Sequence, residues 1–147
     1  MVNSEPAVVD RLDRTSPTKP RGGCDMISWM VIGYGAALSA LLAAALVALA
    51  ARGHRVAAGV GAALGAAVGP IAWNAILRAT HADSFFTDAP IAVMPASWQD
   101  TGSGVFAIAA TALVLGLGPL SGEPARRAVS LSLLAGLAAF LVDVYLY

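Results

Sequence analysis

The run VAAGVGAALGAAVGPIAWNAIL, residues 56–77, holds no charged side chain and is closed by Arg78. As a helix it would rise about 33 Å, which matches the roughly 30 Å apolar core of a bilayer. Three more runs, 27–50, 104–120 and 128–147, are close to it in length and character. Only Asp143 is charged within them.

The whole composition agrees with that reading. Of 147 residues, 58% are hydrophobic and 12% charged, and the mean hydropathy is +0.73. A soluble domain usually carries roughly a quarter charged residues. The charges are also segregated, with Arg52 and Arg55 in one cluster and Arg126 and Arg127 in another. We therefore expect an all-α integral membrane protein, a four-transmembrane-helix bundle with up-and-down topology. Residues 1–25 mix four acids, four bases and three prolines without an apolar face, which predicts a disordered tail.

The same inventory excludes several classes of function. Formal net charge is zero, and no basic stripe exists to follow a nucleic-acid backbone. The single cysteine, Cys24, permits neither an intrachain disulfide nor a four-cysteine metal site. No apolar stretch precedes it, as a cleaved signal would need. Phosphate-cradling loops, HExxH, CxxC and haem-attachment motifs are missing, so no cofactor is expected. His81, Asp83 and Asp88 supply too few ligands in a fixed frame for a metal centre. His54 lies in a turn on the opposite side of the expected bundle.

Short turns rich in arginine favour the cytoplasm. This puts Arg52, Arg55, Arg126 and Arg127 inside, and segment 79–103 with both chain ends outside. Lys19 and Arg21 in the tail pull the other way. The alanine, glycine and arginine bias is that of a bacterial chain, and a bacterial plasma membrane is the expected location.

Small residues recur four apart within the spans. Gly61, Gly65 and Gly69 share one face of span 2, with Gly59 off that face. Helices in lipid associate through close backbone approach over such faces, so span 2 is expected to be central or to meet a partner. Pro70, Asn74 and Arg78 follow at i, i+4 and i+8 on one side of the same span. They predict a tolerated kink, a hydrogen bond from Asn74 to an adjacent helix, and an arginine reaching for the interface. Asp143 lies one turn from the end of span 4 and reads as a wetted interfacial carboxylate. A deep one would be functional by default.

The segment SFFTDAPIAVMPASWQD, residues 84–100, is the only long part after residue 28 that is not an alanine–glycine–leucine run. Phe85, Phe86 and Trp98 suit a lipid–water boundary. Pro90 and Pro95 forbid a long regular helix between them. The segment is expected to form a bent lid or a partner-contact surface. Ser97 and Asp100 can both accept from free N–H groups at the start of span 3, and Asp100 is the expected cap. No histidine stands near a serine with an orienting acid, so no catalytic pair is evident.

Three functions fit these residues. The first is a small accessory or assembly subunit, packed against a larger membrane protein or a second copy within the bilayer. The second is a solute or ion permease working as an oligomer, with Asn74, Arg78 and Asp143 around a polar path. The third is a membrane enzyme with its site in residues 81–100.

Overall fold

Four helices make up the chain: α1 (Trp29–Ala50), α2 (Arg55–Ala79), α3 (Trp98–Leu117) and α4 (Ala125–Leu146). They are seen in a computed structural model that describes residues 27–82, 85 and 96–146. Each is long and apolar enough to cross a membrane, and the fold is an all-α, multi-pass membrane bundle. The expected tail and Phe86, Pro90 and Pro95 lie outside the described residues.

Local chemistry sets the helix ends. Ser28 precedes α1 in extended backbone, and its side chain accepts from the Val31 N–H at 3.4 Å. Between α1 and α2 the chain reverses through Gly53 (φ 75°) and His54 (φ 43°), both left-handed. α2 continues through Pro70 without a break, although proline deprives the Ala66 carbonyl of its usual donor. It ends with two reverse bonds, His81 N–H to the Arg78 carbonyl at 3.3 Å and Ala82 N–H to the Leu77 carbonyl at 3.0 Å. That is a Schellman motif, and His81 at φ 53° fills the left-handed position that usually takes glycine.

α3 begins well before the expected residue 104. Ser97 is its N-cap, and Asp100 is the third helical residue rather than the cap. The Asp100 N–H donates to Ser97 Oγ at 3.2 Å, while the Asp100 carboxylate accepts from the Ser97 N–H at 2.7 Å and its hydroxyl at 2.8 Å. This reciprocal capping box satisfies otherwise unpaired donors on both residues. It adds more than a turn to the helix, so Trp98 opens α3 instead of closing a lid.

The helices form a ring in which sequence neighbours pack together and α4 returns to α1. Across the diagonal, α2 also meets α4, while α1 and α3 stay apart among the described residues. α2 thus touches all three other helices. Its glycines allow this. A Cβ added to Gly61 would stand 2.8 Å from Leu115 Cδ2, and one on Gly65 2.6 Å from Thr111 Cα. One on Gly69 would stand 2.6 Å from Ala107 Cα. Each four-residue step along α2 matches a four-residue step back along α3, which is the register of an antiparallel pair.

Gly59 lies off the face shared by Gly61, Gly65 and Gly69, as expected, but it packs on a second one. It is buried, and an added Cβ would lie 3.2 Å from the Ala44 carbonyl oxygen of α1. α2 carries two glycine faces because it is clasped from two sides. At the end formed by the two short turns, the interior is a dry cluster that includes Ala43, Val47, Ala58, Ala62, Leu115 and Leu131.

Candidate functional site

The buried carboxylates and amides of the interior gather at the other end, where α1 and α3 begin and α2 and α4 finish, while the hydroxyls of Ser39, Thr111 and Ser132 are buried nearer the middle and the turns. Asn74, Gln99, Asp100, Ser103 and Asp143 are all buried there. The registers explain the gathering. Gly69 faces Ala107, and one more step of four brings Trp73 onto the backbone of Gly102. On the other side Gly104 faces Gly136 and Phe140, which brings Asp100 level with Asp143 and Val144.

Asp143 is the main correction to the sequence reading. It is 1% exposed, not a wetted interfacial group. A helical Cα–Cβ bond tilts toward the N-terminus, so a carboxylate one turn from the end of α4 is drawn back into the bundle. The Ser103 side chain lies beside it and the Asp100 carboxylate is within electrostatic reach. Neither Asp143 oxygen meets a partner at hydrogen-bond geometry among the described residues. A buried polar group in that condition costs about 1–3 kcal/mol, more when charged. Such a position usually reflects a role in binding or proton traffic rather than in folding.

Asn74 corrects a second expectation. Its Nδ2 donates to the Pro70 carbonyl of its own helix at 2.9 Å, not to a neighbouring helix. A carbonyl oxygen has a second lone pair for this. Asn74 Oδ1 is buried without a partner among the described residues. Arg78 does not extend freely to the interface. Its Nη2 donates to the Ile27 carbonyl, and its guanidinium lies 4.7 Å from the centroid of the Trp29 ring. The arginine therefore ties the end of α2 to the start of α1 through a hydrogen bond and a cation–π contact.

Gln99 was not singled out by its sequence. Its Nε2 donates to Ser103 Oγ at 3.4 Å. Gln99, Ser103, Ala107 and Thr111 recur at helical spacing and are all buried; that period marks one face once α3 is started at residue 98. An aromatic group flanks the cluster. Trp73 meets Phe106 at 5.2 Å between centroids and Phe85 edge-on at 6.2 Å. Phe85 thus packs on α2, while Trp98 is largely exposed.

This arrangement offers oxygen acceptors from Asp143 and Asn74 with a hydroxyl nearby, suited to a proton, a small cation or a hydrogen-bond donor. Among the described residues no group of three or more His, Cys, Asp or Glu side chains is placed to hold a metal ion. No family model, curated protein or solved structure matches the chain.

Proposed function

We propose that the chain is a small, non-conducting accessory subunit of a bacterial plasma membrane, packed against a larger membrane protein. The observation that supports this reading is the zoning of the interior. The buried carboxylates and amides occupy the end next to segment 79–103, and the end next to the turns is alanine, valine and leucine with the hydroxyls of Thr111 and Ser132. A conduit through one chain would need polar or broken helices at depth, and among the described residues this half buries only the Thr111 and Ser132 hydroxyls, the latter bonded to its own helix. Purification of the full chain in mild detergent tests the proposal. A larger protein at fixed stoichiometry is the expected result.

Asp143 favours a second reading, an ion or solute permease working as an oligomer, with Asn74, Arg78 and Asp143 around a polar path. A homo-oligomer without a larger partner would replace the first reading by this one. In either case the arginine-bearing turns are proposed to face the cytoplasm, with the C-terminus outside. A C-terminal fusion active only as a cytoplasmic reporter would reverse that orientation.

A further inference from the structure

The turn end of the bundle holds a feature that the partner reading does not use. The end of α1, the linker after α3 and the first turns of α4 border an open cavity of about 680 Å³. Arg52, Arg126, Arg127 and Glu123 line it together with Leu131 and Leu134. The charges are unequal in their commitments. Arg127 Nη1 pairs with Glu123 Oε1 at 2.7 Å, and Arg127 Nη2 donates to the Arg52 carbonyl. Glu123 therefore neutralises Arg127. The guanidinium groups of Arg52 and Arg126 are exposed and have no ion-pair partner among the described residues. α4 starts at Ala125, so the positive end of its dipole adds to the same field.

We infer that this cavity binds the headgroup of an anionic phospholipid. Arg52 and Arg126 hold the phosphate ester, and an acyl chain lies over the apolar lining formed by Ala50, Pro124 and Leu134. Guanidinium groups match phosphate oxygens in planar, forked geometry. Basic pockets at the ends of membrane helices are suited to anionic headgroups. Free inorganic phosphate shares the charge but would leave the apolar part of the lining uncovered, and a lipid accounts for both parts. The site is separate from the Asp143 cluster, which lies at the opposite end of the bundle.

The test uses the full chain in a neutral detergent, with bound lipid measured by native mass spectrometry. Phosphatidylglycerol and phosphatidylcholine are titrated separately, and inorganic phosphate forms a third arm. Wild-type protein should retain phosphatidylglycerol preferentially. The R52Q/R126Q variant should weaken that binding roughly tenfold or more. R55Q removes a charge from the same side without touching the cavity lining, and it should change binding by less than about threefold. E123Q removes the lining carboxylate while leaving every arginine in place, so it should tighten binding and keeps the test open should the double variant not fold. Equal retention of the two lipids would overturn the inference, as would R55Q acting as strongly as R52Q/R126Q. Unchanged or weaker binding by E123Q would also count against it. Competition by millimolar inorganic phosphate as effective as that by lipid would reassign the cavity to the free ion.

Discussion

Gly65 of α2 and Thr111 of α3 meet almost backbone to backbone: a Cβ added to the glycine would stand 2.6 Å from the threonine Cα. The absent side chain is what lets the two helices approach. Gly65→Leu is therefore expected to destabilise the bundle by about 3 kcal/mol, the upper range for overpacking a close contact. Gly116, with open space where a Cβ would stand, is the matched control, and Gly116→Leu should be near neutral. Gly59→Leu should fall between them because it presses on α1. Thermal melting in detergent measures all three, and equal losses at positions 65 and 116 would show that the α2–α3 contact is not limiting.

Asp143→Asn keeps the shape of the side chain and removes its capacity to ionise. Among the described residues its oxygens meet no partner at hydrogen-bond geometry, so stability in detergent should hold or rise by about 1 kcal/mol. A marked fall in melting temperature would instead make Asp143 an anchor of the fold. The same variant separates the two functional readings. Capture of a larger partner should survive it, whereas transport by an oligomer should not.

Ser97 and Asp100 stabilise the start of α3 as one unit. Ser97→Ala should cost about 1 kcal/mol, the usual value for losing a helix N-cap. Asp100→Ala should cost a similar amount. The double variant should cost clearly less than the sum, because either change breaks the reciprocal box. Additive losses in equilibrium unfolding would mean that the two residues act separately.

His81 adopts a left-handed backbone at the close of α2, a conformation that disfavours side chains with a Cβ by roughly 1–2 kcal/mol. His81→Gly should therefore stabilise the protein by about 1 kcal/mol, less a few tenths for the added freedom of the unfolded chain. A loss of stability on this substitution would reveal that the imidazole makes contacts worth more than the backbone strain.

Sequence alone determined the class of object and the order of its parts. A bilayer asks for uncharged runs of a certain length, and that demand is readable one span at a time, as in residues 56–77. The four-residue glycine spacing was legible for the same reason, since helical periodicity is local. The start of α3 was less so. Trp98, Gln99 and Asp100 are polar or interfacial in type, and only the capping box with Ser97 makes them helical. The burial of Asp143 and the second glycine face at Gly59 depended wholly on tertiary structure. Distance from a helix end says how deep a residue sits, but not which way it faces. That direction follows from the register of one helix against the next, in which Gly69 against Ala107 and Gly104 against Gly136 bring Asp100 and Asp143 to one level of the interior.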